Sequence, residues 1–375
     1  MPRLPLLALA LLALLAAIWA GLFRIGWAWP MGSPAALAAA HGPLMVSAFL
    51  GTVIGLERAV ALNRRAAYLA PALTALGGLA LLLGVSWMWG MRLLLLGSAG
   101  LVVLFAVIVR RHPAVYTATM ALGALSWLAG NALQAAGRPI YAVAPWWVAF
   151  LTLTIAGERL ELSRVLRLSR GVVNLFAAAT AVFLAGVVLS VWAYAAGARL
   201  AGAGLVLLAA WLLRYDLARR NVRRSGLTRF IAICLFGGYL WLGLGGLLWL
   251  VYGGAMAGPL YDAILHSIFL GFVFAMIFGH APLIFPSVVG RPMAYAPAAY
   301  APLIVLHLSL VLRVAGDLLA VPLARRWGGL LNGVALLLFL GLTVYALAVG
   351  RRPSGRLSAD DERRLANTRP PTPDR

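Results

Sequence analysis

Lysine, cysteine and acidic residues are scarce in this 375-residue chain, and their scarcity excludes several classes of protein. All 31 basic residues are arginine, and only ten residues are acidic. The single cysteine, Cys234, excludes a disulfide framework and any CxxC metal or redox motif. The sequence also lacks a Walker loop, a zinc-protease motif, a Ser-His-Asp arrangement and a dinucleotide fingerprint. We therefore expect no active site of the kinds found in soluble enzymes.

Apolar runs of about 20 residues recur along the chain, and hydrophobic residues make up 63% of it. This composition excludes a soluble globule and predicts an all-α, polytopic membrane protein. The first run is too long for a signal-peptide core, so we interpret it as a membrane span. About twelve transmembrane helices are predicted, at 4–23, 35–56, 66–86, 91–109, 114–135, 143–157, 172–195, 199–213, 228–252, 262–285, 296–318 and 328–350. Residues 1–350 would then form one domain, and 351–375 a disordered cytoplasmic tail.

The arginines lie at the ends of the apolar runs, where they orient helices, so the formal charge of +21 does not indicate nucleic acid as a partner. Connections after even-numbered spans carry sixteen arginines, and those after odd-numbered spans carry six. By the positive-inside rule, both termini are cytoplasmic and the chain lies in the inner (cytoplasmic) membrane. Membrane lipid is then its first expected partner.

A weak internal repeat relates the second, sixth and tenth spans. Phe49-Leu-Gly-Thr-Val-Ile-Gly-Leu-Glu57-Arg58 is similar to Phe150-Leu-Thr-Leu-Thr-Ile-Ala-Gly-Glu158-Arg159, and Phe269-Leu-Gly-Phe-Val is similar to the start of both. The three spans are four apart, which favours three blocks of four helices. We interpret Glu57-Arg58 and Glu158-Arg159 as ion pairs at helix ends.

The tenth span carries an acid and two imidazoles, Asp262, His266 and His280, inside an otherwise apolar run. Ionisable groups in such a place are costly and are functional candidates. At about 100° per residue, the three side chains share one helix face. Neutral imidazole is a common ligand of iron, copper and zinc. The alternative is that the histidines form hydrogen bonds that hold helices together.

His41, near the start of the second span, lies at the same predicted depth as His266, because both helices run inward. Two histidines at equal depth on different helices suit the two faces of a haem. Arg325 and Arg326, in the predicted loop between the last two spans, would bind the haem propionates; the alternative for them is ordinary solvation of a loop.

We expect supporting roles for the other ionisable residues of the apolar runs. We expect Arg313 to pair with Asp317, four residues along the same helix. Asp262 would cap its helix or orient His266. His280 and His307 would form a second metal site, part of a proton path or a hydrogen bond between helices.

These residues resemble the catalytic subunit of haem-copper oxidases, and more closely the NnrS-like membrane proteins. The resemblance is carried by His41, Met45 and Phe49 in the second span, by His266, Gly271, Met276, Gly279-His280 and Gly290-Arg291-Pro292 around the tenth, and by Leu312-Arg313-Val314-Ala315 in the eleventh. It implies a bundle like that of oxidase subunit I, with haem b held by His41 and His266, copper as a possible second cofactor, and a link to the nitric oxide response.

The departures from this resemblance limit what it implies. The oxidases bind copper through histidines of spans six and seven, and both spans lack histidine here. Ile264 stands where the oxidases carry a further histidine, and Pro43 where NnrS-like proteins usually carry one. We therefore expect a single low-spin haem and no reduction of oxygen.

The sequence as a whole favours an integral membrane haem protein that acts in electron transfer, or in sensing or handling a small gas such as nitric oxide. A redox partner protein and a small gas ligand are its possible partners. The alternative is a proton-coupled transporter of small molecules that uses the buried His and Asp residues. A third possibility is an inert scaffold.

Overall fold

The computed structural model describes residues 3–27 and 34–350, and the regular structure of these two segments is entirely helical. Twelve long helices follow one another: α1 Arg3–Arg24, α2 (Pro34–Gly42, Pro43–Gly51 and Thr52–Leu62), α3 Leu69–Leu82, α4 Trp87–Arg111, α5 Val115–Ala135, α6 Ile140–Leu162, α7 Arg170–Leu189, α8 Tyr194–Tyr215, α9 Gly226–Val251, α10 (Gly258–His266, Ser267–Phe274 and Ala275–Val289), α11 Tyr300–Leu318 and α12 Pro322–Val349. Short helical turns at Arg65–Tyr68, Ser163–Leu166, Ala218–Asn221 and Pro297–Ala299 join some of them. The predicted tail, 351–375, lies outside the described residues.

Eleven helical segments of the described chain are long and apolar enough to cross a membrane. The remaining long helix, α5, is less apolar because it carries Thr117, Thr119, Ser126 and Asn131 on its buried side. The protein is thus a multi-pass membrane protein, which confirms the prediction at that level. Hydrophobic runs located the helices well because each run must cover the apolar thickness of a bilayer.

The three helices related by the sequence repeat meet inside the bundle. Phe49 of α2 stacks on Phe274 of α10 with ring centroids 6.2 Å apart. Nearer the other end of the helices, Arg58 of α2 forms an ion pair with Glu158 of α6 and also contacts Glu57. The two Glu-Arg motifs therefore pack against each other. Helices α2, α6 and α10 meet in the interior of the bundle, where the candidate site lies.

Both α2 and α10 contain a π-helical segment, and each segment begins just after a histidine. The first runs from Pro43 to Gly51, directly after His41-Gly42, and the second from Ser267 to Phe274, directly after His266. A π-helix bonds each residue to the fifth one along and so takes more residues per turn than an α-helix. His266 lines the central cavity, whereas His280, farther along α10, does not.

Candidate functional site

A cavity of about 560 Å³ is lined by residues of α1, α2, α4, α5, α6, α10, α11 and α12 and reaches the surface at one end of the bundle. Its volume falls in the range of about 300–1,000 Å³ that is usual for cofactor and ligand sites. Both predicted histidines line it, with the apolar side chains of Met45, Trp147, Phe269, Leu270, Phe274 and Leu336. Exposed residues at its mouth include Arg24, Trp87 and Arg138.

The imidazoles of His41 and His266 face each other across helices α2 and α10. Their ring centroids are 6.4 Å apart and their planes are inclined by 28°. Nδ1 of His41 is 2.8 Å from the carbonyl oxygen of Ala17, and Nδ1 of His266 is 2.9 Å from that of Asp262. A carbonyl can only accept, so Nδ1 carries the proton and Nε2 keeps its lone pair in both rings. Within the described chain, neither Nε2 has a hydrogen-bond partner.

The distance between the two rings would allow His41 and His266 to hold one metal ion between them. A coordinated imidazole nitrogen lies about 2 Å from its metal, and the ring centre roughly 1.1 Å behind that nitrogen, which places two opposed rings about 6.2 Å apart. The observed 6.4 Å is close to this distance. Two imidazoles with Nδ1 anchored and Nε2 free would form a donor set suited to a haem iron.

A glycine on α1 makes room for His41. A Cβ at Gly21 would lie 2.8 Å from Cε1 and 3.1 Å from Nδ1 of the imidazole. Because Ala17, which accepts the Nδ1 bond, is one turn away on the same helix, α1 fixes the ring by a hydrogen bond and by close packing together.

A charged network supports His266 from behind. The carboxylate of Asp262 accepts two hydrogen bonds from Arg313, at 2.9 and 3.0 Å, and lies 3.2 Å from Nδ1 of His266. Arg325 lies 2.9 Å from a carboxylate oxygen of Asp317 and 3.8 Å from Asp262. The predicted Arg313–Asp317 pair is therefore wrong, and of the two roles expected of Asp262 the contact with His266 is observed and the helix cap is not. Arg313 pairs with Asp262 of another helix rather than with Asp317, and the N-cap of α10 is Ala257 rather than Asp262.

The predicted arginine pair separates in the structure. Arg325 and Arg326 lie in the first turns of α12, which begins at Pro322, and not in a loop. Arg325 lines the cavity, whereas Arg326 donates to the carbonyl oxygen of Gly26 and stacks over the ring of Trp27. Only one member of the pair is thus available to the cavity.

His280 and His307 lie away from the cavity and are held separately. Nδ1 of His280 is 2.7 Å from the carbonyl oxygen of Met276, and Nδ1 of His307 accepts a hydrogen bond from Trp241 at 2.9 Å. Across residues 3–27 and 34–350, no group of three or more His, Cys, Asp and Glu side chains is placed to hold a metal ion. The geometry thus offers these two histidines no shared ligand set.

A second ion pair differs from its prediction. Arg159 does not pair with its neighbour Glu158 but makes a two-pronged pair with Asp216 at 2.9 Å, and both side chains are almost completely buried. Asp216 also accepts from the backbone N–H of Ala218. This cluster lies apart from the cavity and holds α6 to the end of α8.

Arg24, Arg138 and Tyr261 are among the cavity residues that could not be singled out from the sequence. The two arginines counted only as loop charges, and Tyr261 was one aromatic residue among many in an apolar run. That all three line one cavity depends on how the ends of α1, α5 and α10 pack together, for which the sequence carries no local signal.

The chain matches a protein family whose function is not known. A family model described as "Domain of unknown function (DUF8744)" covers residues 3–348, which is nearly the whole described chain. No curated protein matches the sequence.

Proposed function

We propose that this chain, which belongs to the DUF8744 family, is a membrane protein that holds one b-type haem between His41 and His266 and uses it for electron transfer. The observation that carries the proposal is the pair of anchored imidazoles, 6.4 Å apart, on a cavity of cofactor size. Bound there, the haem would supply a one-electron redox centre. Because His41 and His266 would both hold the iron, electron transfer is favoured over binding of nitric oxide or another gas.

The chain's own residues would position the cofactor and exclude water. The carbonyl oxygens of Ala17 and Asp262 hold the two rings in orientation. Phe269 and Phe274 supply apolar walls. Ligands on the second and tenth helices are also what the resemblance to oxidase subunit I implies, so we extend the proposal to an oxidase-like bundle. Copper is not needed for this function.

A visible spectrum of the protein purified with haem available tests the proposal. We expect a Soret band and a sharp alpha band after reduction, unchanged by carbon monoxide, and loss of both in His41→Ala and in His266→Ala. His307→Ala is the matched control, because His307 bonds to Trp241 away from the cavity. A colourless wild-type protein, or a spectrum that survives both ligand substitutions, contradicts it.

We further propose that the chain lies in the inner membrane with both termini in the cytoplasm, so that the mouth of the cavity faces outward. The support is the excess of arginine after even-numbered helices. Cys234 is fully buried, so a single introduced cysteine can report on each side. An impermeant maleimide should label Ala136→Cys in intact cells and Ser225→Cys only after lysis; the reverse pattern contradicts the orientation.

One feature favours a second function, proton-coupled transport. Asp262, Arg313, Arg325 and Asp317 form a largely buried charged network, in which Arg325 is partly exposed, beside a cavity that reaches the surface, as expected of a proton-linked binding site. A stable, colourless preparation that takes up solute into liposomes under a pH gradient would favour this function over the haem.

A further inference from the structure

Four arginines line the cavity, and two of them are already neutralised. Arg313 is bound by both carboxylate oxygens of Asp262, and Arg325 lies against Asp317 and Asp262. Two arginines and two aspartates therefore compensate one another within the network. A further anion at this end of α12 would compete with carboxylates that are already in place.

The other two arginines, Arg24 and Arg138, have no acidic partner in the described part of the chain. Arg24 donates only to the carbonyl oxygen of Ala38, at 3.3 Å, and Arg138 makes no hydrogen bond or ion pair there. Both side chains are exposed at the mouth of the cavity, one at the end of α1 and the other between α5 and α6. Each can present its guanidinium fork to an anion.

A buried hydroxyl lies on the same cavity. Tyr261, in the first half of α10, is 9% exposed and its phenolic oxygen has no hydrogen-bond partner among the described residues. It lines the cavity with Arg24 and Arg138. A buried hydroxyl without a partner loses the hydrogen bonds it made in water, so it indicates a polar group supplied by a ligand.

We propose that Arg24, Arg138 and Tyr261 form a carboxylate-binding subsite at the mouth of the cavity, and that it takes the propionate groups of the haem. The inference rests on the proposed haem site and replaces the expected Arg325–Arg326 pair. Arg326 is excluded because its guanidinium bonds to Gly26 and covers Trp27. The subsite combines two uncompensated cations with one hydroxyl donor, which suits carboxylates at a membrane surface.

Comparison of haem with its dimethyl ester isolates this interaction, because the ester keeps the macrocycle and iron but has no carboxylate. Each would be titrated into haem-free protein in nanodiscs of neutral lipid. We expect wild type to bind haem more tightly than the ester. Arg24→Gln and Arg138→Gln should each lower the affinity for haem by roughly three- to tenfold and leave the affinity for the ester almost unchanged. Tyr261→Phe should act in the same direction.

Arg92→Gln is the matched control, because Arg92 is an exposed arginine that stacks over Trp89 and does not line the cavity. It should leave the preference for haem unchanged. If wild type binds haem and the ester equally tightly, or if the Arg24 and Arg138 variants lose the same affinity for both compounds, the proposed carboxylate subsite is contradicted. The proposed haem site is not affected by either result. If neither compound binds wild type, the proposed function itself fails.

Discussion

Replacement of Gly21 by alanine should displace one proposed ligand without touching any other polar group. The new Cβ would lie 2.8 Å from Cε1 of His41. Non-bonded carbon atoms prefer a separation of about 3.5 Å or more, so the ring must retreat by roughly 0.7 Å. The Nδ1 bond to Ala17, 2.8 Å long, would then lengthen beyond hydrogen-bonding range.

A shift of this size exceeds the tolerance of about 0.2 Å in metal–ligand distances. Loss of a hydrogen bond that orients a metal-binding histidine typically costs 10–100-fold in metal affinity, and we expect a loss of about this size for haem. The assay is titration of haem into haem-free protein, followed at the Soret band. Gly341→Ala is the control, because nothing lies within 4 Å of a Cβ built there. Equal affinities for the two variants would refute the packing argument.

Three further predictions concern charge and packing. Asp262→Asn removes a carboxylate beside a proposed ligand and should raise the midpoint potential, by on the order of 50 mV, in a spectroelectrochemical titration; an unchanged or lower potential would argue against its contact with His266. Arg159→Leu leaves the buried Asp216 without its partner and should cost about 3–5 kcal/mol of stability, part of which Asp216→Asn restores; a thermal melt equal to that of wild type would contradict this. Gly51→Ala forces a Cβ to within 2.1 Å of the Trp127 ring and should destabilise the bundle by about 1–3 kcal/mol, whereas an unaltered melting temperature would show that the ring moves freely.

The positions of the helices and the equal depth of His41 and His266 could be predicted from the sequence, and the reasons are physical. A span must be apolar over a bilayer's thickness, so its position is a local property of the chain. The direction of each span then determines how deep each of its residues lies in the membrane, and this predicted the same depth for His41 and His266. Equal depth does not determine how the two rings are oriented. Their orientation depends on the hydrogen bonds of Nδ1 of His41 with Ala17 and of Nδ1 of His266 with Asp262.

The partners of the charged residues could not be predicted from spacing. Arg313 and Asp317 are four apart on α11, yet each takes its partner from another helix, because buried charges pair where packing brings them closest. The segment Ser267–Phe274, between His266 and His280, is π-helical, so α-helical spacing does not determine how these two side chains are oriented relative to each other. Which helices contribute the two members of an ion pair, and whether a segment is α- or π-helical, both depend on tertiary contacts. A short sequence pattern does not predict such contacts.

Cryo-electron microscopy of the protein purified with haem available, in complex with an antibody fragment, would show directly whether His41 and His266 hold one haem. We expect planar density between their rings, with Nε2 of both about 2 Å from its centre. Density for lipid or water in the cavity, or a haem bound elsewhere, would contradict it.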